Sequence, residues 1–98
     1  MTKPLTQADW VLSQALIRDP TGLHARPAVK LTKLAKTFHS DIQLRADEQS
    51  SWVSAKSPNS VMKLKAAAGV PLHIRASGDD ADDAVAALVS LIERDFND

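Results

Sequence analysis

The sequence predicts an α+β domain: a four-stranded, mainly antiparallel sheet covered on one side by three helices. Three observations predict it. Four short segments alternate apolar and polar residues, so each strand has one apolar face. Three longer segments repeat apolar residues every three or four positions, so each helix has one stripe to bury. The segments follow one another as β-α-β-β-α-β-α, which a sheet with all its helices on one face accommodates. At 98 residues the chain has room for one core and no second domain.

Residues 1–10 read as a polar, mobile extension, which leaves the domain at 11–98. Val11 to Ile17 is the first strand, with Ser13, Ala15 and Ile17 on one face and Leu12, Gln14 and Leu16 on the other. Asp19-Pro20-Thr21-Gly22 has the composition of a turn. From about Ala25 to Phe38 the stripe Ala28, Leu31, Leu34, Ala35, Phe38 predicts a helix, and Val29 lies off it. Asp41 to Arg45 is a second strand with Ile42 and Leu44 inward. Residues 46–50 turn the chain, and Ser51 to Ala55 returns as a third strand with Val53 and Ala55 inward and Trp52 opposite.

Ser57-Pro58 places an N-cap serine before a proline at the first helical position. Val61, Leu64 and Ala68 form the stripe of this second helix, and Gly69 ends it. Val70 to Ala76 is the fourth strand, with Leu72, Ile74 and Ala76 in and His73 and Arg75 out. After Ser77-Gly78 the last helix spans about Asp80 to Phe96. Its acidic first turn complements the helix dipole, and Ala84, Val85, Leu88, Leu91, Ile92 and Phe96 make its packing face.

Composition narrows the function. Lys plus Arg and Asp plus Glu each number 12, so no overall field draws the chain to nucleic acid or to a membrane. There is no cysteine, hence no disulfide framework and no thiolate site. No long apolar run opens the chain, and a cytoplasmic protein without membrane insertion is the expectation. Charge is uneven, however. Lys30, Lys33 and Lys36 fall on the first helix, Lys56, Lys63 and Lys65 around the second, and Asp79, Asp80, Asp82 and Asp83 open the third. Such clusters are either solvated faces or a basic surface that meets an acidic partner.

The chemistry concentrates in Thr21-Gly22-Leu23-His24-Ala25-Arg26-Pro27, where strand gives way to helix. A helix start carries unpaired N–H groups and partial positive charge, so it attracts phosphate. That environment disfavours the imidazolium form and leaves the His24 lone pair free to attack. Arg26 offers a planar fork of donors, and the N–H groups of Ala25 and Arg26 would hold a phosphoryl group on the ring. By physics alone the stretch is also consistent with a histidine near a helix end beside an exposed arginine, because Gly-x-His-x-Arg-Pro in isolation is a weak motif.

Two motifs on this element order resemble those of HPr, the histidine phosphocarrier of the bacterial sugar phosphotransferase system, and of its nitrogen-branch variant. Gly22-Leu23-His24-Ala25-Arg26-Pro27 is similar to the family's active-site signature. Ala55-Lys56-Ser57 followed by Val61-Met62-Lys63-Leu64 and Gly69 is similar to its second helix region. The resemblance runs from about Val11 to Phe96. It implies an open-faced β-sandwich and a carrier that is not a stand-alone catalyst and needs no cofactor. It implies that His24 takes a phosphoryl group from Enzyme I, itself charged from phosphoenolpyruvate, with help from Arg26. An EIIA-type acceptor would then receive the group, in sugar uptake or in a regulatory branch.

Docking would centre on Val29, Lys33 and Lys36 and on Pro58, Asn59, Ser60 and Met62 of the second helix. The family commonly carries two large apolar residues just after the serine that matches Ser57. Here they are Pro58 and Asn59, which points to a specialised paralogue with a dedicated partner. Ser57 matches a position that an HPr kinase modifies in some members, although an N-cap serine needs no regulation.

The rival functions are a regulatory binding module of the same fold without obligatory phosphate turnover, and a nucleic-acid-binding domain. The second needs aromatic stacking positions on a basic surface and ranks last. His39 and His73 read as bystanders, and no metal spacing links them to His24. Trp52, Leu12 and Leu16 share the bare sheet face, a cluster that calls for a cover from the Trp10 extension or a second subunit.

Overall fold

The computed structural model describes residues 10–18, 22–23, 25–47, 51–94 and 96. The expected turn at 19–21, the tip of the hairpin at 48–50 and residues 1–9 of the extension lie outside them. The elements are β1 (Val11–Leu16), α1 (Ala25–Ala35), β2 (Asp41–Arg45), β3 (Val53–Ser54), α2 (Pro58–Lys63), β4 (Pro71–Ser77) and α3 (Ala81–Glu93). They form a four-stranded sheet in the order β1-β4-β2-β3, every pairing antiparallel, with the helices on one side.

Register explains the core. Ile74 lies opposite Ser13 of β1 and Leu44 of β2, so Ala15, Ile42, Leu44, Leu72, Ile74 and Ala76 all point to the helical side. All six are buried. Against them α3 lays Ala81, Ala84, Val85, Leu88, Leu91 and Ile92, packing over β1 and β4, while α1 adds Ala28, Leu31 and Ala35. Burying a side chain such as Leu31, Leu88 or Ile74 contributes about 1.5–3 kcal/mol each. Phe96 is buried as expected, but it lies beyond α3 in a left-handed conformation (φ 60°). Its carbonyl accepts a bond from Lys30 Nζ at 2.7 Å, which ties the end of the chain to α1.

α3 thus ends at Glu93 rather than Phe96, and the bounds of α1, β3 and α2 differ from expectation too. α1 stops at Ala35 rather than Phe38, because residues 36–38 tighten into a turn in which Phe38 N–H donates to the Ala35 carbonyl and Thr37 Oγ1 to that of Leu34. β3 is two residues long, although Ala55 N–H still pairs with the Ile42 carbonyl at 2.9 Å. α2 ends at Lys63, well before Gly69: Lys65 takes a left-handed backbone (φ 50°) and breaks the helix. Ala66 fills the inward place expected of Ala68, which is exposed.

Among the described residues, no helix is long and apolar enough to cross a membrane.

Candidate functional site

The approach to α1 is held by backbone. The Ile17 N–H donates to the Val70 carbonyl at 3.3 Å and the Gly69 N–H to the Ile17 carbonyl at 2.8 Å, so β1 stays paired as it leaves the sheet. Further on, the Leu23 N–H donates to the Ala66 carbonyl at 2.8 Å, and the Leu23 side chain is buried. Gly22 has φ +76°, and a Cβ there would stand 2.5 Å from the Ala66 oxygen. Only glycine allows this approach. The segment after α2 therefore clamps the turn that leads into α1. Sequence reasoning assigned residues 65–68 to helix and missed the clamp; the run of small side chains at Ala66-Ala67-Ala68 was its signal.

α1 opens at Ala25. Ala25 and Arg26 are exposed, Pro27 and Ala28 are buried, and no acidic residue falls in the first turn. The first N–H groups of the helix have no partner within it, and no carboxylate on that turn competes for them. His24 directly precedes Ala25 in the chain and lies outside the described residues.

The surface expected to dock partners is divided between two elements. Val29 and Lys33 are exposed along α1, and Lys36 is exposed just beyond its end. α2 packs beside α1 and shows Asn59 exposed, with Pro58, Ser60 and Met62 half-buried. Met62 packs against the core as well, so only part of it is available for contact. Ser57 is the N-cap of α2: its Oγ accepts from the Ser60 N–H at 3.3 Å, and it is half-buried. Two of the lysines expected on a basic docking surface brace the fold instead. Lys30 holds the Phe96 carbonyl, and Lys56 Nζ donates to the Phe38 carbonyl at 2.9 Å, joining the start of α2 to the end of α1.

A second polar clamp sits at the other end of α1. Asp80 caps α3, yet its carboxylate makes no bond within that helix. It accepts from the His39 N–H at 2.8 Å, the Ser40 N–H at 2.9 Å and the Ser40 hydroxyl. The Ser40 hydroxyl chiefly, and then the His39 N–H, hold its pKa down from 3.8 to about 2. His39 is exposed and His73 half-buried on the bare sheet face. Among the described residues, no group of three or more His, Cys, Asp or Glu could hold a metal ion.

Comparison with known proteins places this geometry. The family model described as the PTS HPr component phosphorylation site matches residues 12–94. The phosphocarrier protein HPr of Mycoplasma capricolum is 42% identical over 74 residues, covering 76% of this chain and 81% of that protein. The phosphocarrier protein NPr of Escherichia coli is 33% identical over 82 residues, covering 84% and 90%. The crystal structure of HPr-C-His from Thermoanaerobacter tengcongensis superposes with a TM-score of 0.81 at 36% identity, covering 90% of this chain and 97% of that one.

Proposed function

The chain belongs to the HPr family of phosphotransferase-system phosphocarriers, which are not stand-alone catalysts, and on that premise we propose that His24 is the residue that carries the phosphoryl group. The observation that carries the reading is the opening of α1: exposed Ala25 and Arg26, no acid in the first turn, and His24 immediately before them. A ring nitrogen of His24 forms its bond to phosphorus as the bond from phosphorus to the donor breaks, and the same exchange runs in reverse onto the acceptor. Such a transfer needs alignment and charge stabilisation more than covalent work by the protein. The Arg26 guanidinium and the N–H groups of Ala25 and Arg26 supply donors to the phosphoryl oxygens.

The donor in this reading is an Enzyme I-type protein charged from phosphoenolpyruvate, and the acceptor an EIIA-type protein. Both meet the same strip, Val29 and Lys33 on α1 and Lys36 just beyond it, with Pro58, Asn59, Ser60 and Met62 on α2, in a modest, transient contact steered by the lysines. Pro58 and Asn59 give α2 a polar start, which favours a dedicated partner and a regulatory branch over general sugar uptake. Ser57 caps α2, a role that needs no regulation, and a phosphoryl group placed there by an HPr kinase would add charge beside the docking strip.

The test is incubation with an Enzyme I-type protein and labelled phosphoenolpyruvate, comparing wild type with His24→Ala. Acid-labile label on the wild type alone is expected. Equal labelling of the two, or no labelling by any Enzyme I-type protein of the source organism, would overturn the assignment.

A further inference from the structure

On the sheet face turned away from the helices, Trp52 has its cover from within the chain. The Arg75 guanidinium lies 4.3 Å from its ring centroid and that of Arg45 4.5 Å, and Arg75 also stacks on Trp10 at 4.1 Å. Leu12 and Leu16 share that face and stay more than half exposed. Both lie on β1, at the margin of the sheet. Among the described residues, β4 is the only strand beside it.

Hydrogen bonding shows which backbone groups that margin offers. Ile17 turns both its N–H and its carbonyl toward residues 69–70, which lead into β4. Backbone groups alternate sides along a strand, so Val11, Ser13 and Ala15 face β4 in the same way. Pro71, which has no N–H, stands opposite Leu16, where that alternation asks for no bond. The N–H and carbonyl groups of Leu12, Gln14 and Leu16 therefore point outward. Edge strands are usually blunted by a charge or a proline, and Val11–Leu16, reading VLSQAL, has neither.

We propose that the margin of β1 pairs with that of a second copy of this chain, antiparallel across a two-fold axis at Gln14. An axis perpendicular to the sheet keeps the bare faces of both copies on one side. The register then sets Leu12 against the partner's Leu16, Gln14 against the partner's Gln14, and Leu16 against the partner's Leu12. Each pair exchanges both N–H···O bonds, and the exposed leucines cover one another. A shift of two residues in either direction separates the leucines. Charge does not oppose the encounter, because the chain is neutral overall. Space allows it too: α3 packs over β1 and β4, so the two α3 helices would lie two strand spacings apart, about 10 Å, an ordinary packing distance. Residues 1–9 suit the margin less well, since they include Lys3, Pro4 and Asp9. A ladder this short buries an area at the low end for specific contacts, so the dimer is reversible, with a Kd on the order of 0.1 mM. The contact uses no residue of α1 or α2, and His24 should label normally in either state.

Sedimentation equilibrium and amide exchange by NMR, from about 10 µM to about 1 mM, test the pairing. Protection of the Leu12, Gln14 and Leu16 N–H groups should rise about fourfold over that range, as the monomer fraction falls, while Ser13 and Ala15 stay protected throughout. Leu12→Lys and Leu16→Glu should each weaken association about tenfold, by setting a charge against a leucine at both ends of the ladder. The double variant sets opposite charges face to face in this register and should regain most of the loss. In a chain without cysteine, Gln14→Cys should link into dimers on mild oxidation about tenfold faster than Leu12→Cys, whose counterpart would lie about 13 Å away. Four results would overturn the proposal. They are no association up to about 1 mM, margin amides equally protected at every concentration (a cover from residues 1–9), no recovery in the double variant, and Gln14→Cys linking no faster than Leu12→Cys (an exchange of whole strands).

Discussion

Replacing Gly22 with alanine should destabilise the protein by about 1–4.5 kcal/mol, with the middle of that range near 3, a value that follows from two separate penalties. A left-handed backbone such as φ +76° costs a non-glycine residue about 1–2 kcal/mol. The new Cβ would also stand 2.5 Å from the Ala66 oxygen, a backbone atom already fixed by its 2.8 Å bond from the Leu23 N–H. Relieving that overlap costs about 1–3 kcal/mol more. The stiffer unfolded chain returns about 0.4–1 kcal/mol. For a domain of 98 residues the net loss lowers the melting temperature by about 10–25 °C. Gly69 supplies the control. It has φ +80° but nothing within 4 Å of its would-be Cβ, so Gly69→Ala should incur the backbone penalty alone, about 1 kcal/mol or less after the unfolded-state gain. Urea unfolding followed by circular dichroism measures both. If Gly22→Ala proves no worse than Gly69→Ala, the clamp between Gly22-Leu23 and Ala66 has been misjudged.

Arg26 is exposed, so Arg26→Gln should leave stability within about 0.5 kcal/mol while slowing phosphoryl transfer to His24 roughly 10- to 100-fold; single-turnover labelling beside a melting curve separates the two effects. Asp80 should make the fold acid-sensitive. Because its folded-state pKa is depressed, its contribution is fully present above the ordinary value of 3.8 and drains away as pH falls toward about 2. Asp80→Asn should flatten the melting temperature against pH over that window, and a profile parallel to wild type would contradict the Ser40–His39 clamp. Ser57→Ala should cost about 0.5–1 kcal/mol, at the weak end for a cap because its bond to the Ser60 N–H is 3.3 Å long, and Ser57→Asp should retain most of that stability.

The sheet and its helices were legible because burial repeats along the chain. Ala15, Ile42, Leu44, Leu72, Ile74 and Ala76 alternate with polar neighbours, and Leu88, Leu91 and Ile92 recur at helical spacing, so each element declares its inner face locally. The start of α1 was legible on a different local signal, since Gly22 and Pro27 mark a turn into a helix. What escaped were features that depend on distant residues. Residues 64–69 continue an apolar pattern, yet Lys65 turns left-handed because the chain must bring the Ala66 carbonyl to Leu23. Asp80 looks like an ordinary helix cap, but its carboxylate serves His39 and Ser40 across the fold. The lysines looked alike in sequence, and only the fold distinguishes Lys30 and Lys56, which hold carbonyls, from Lys33 and Lys36, which are exposed.

The position of β4 between β1 and β2 has a consequence for how the protein is born. On a ribosome the first strand emerges with no neighbour to pair with, and β2 and β3 can offer each other only a two-residue ladder. Until Pro71–Ser77 has cleared the exit tunnel, the apolar sides of β1, α1 and β2 stay open to solvent and to chaperones, because the strand that unites them is still being synthesised. Nascent chains stalled before residue 71 should accordingly be protease-sensitive throughout, and protection should arrive in one step rather than element by element.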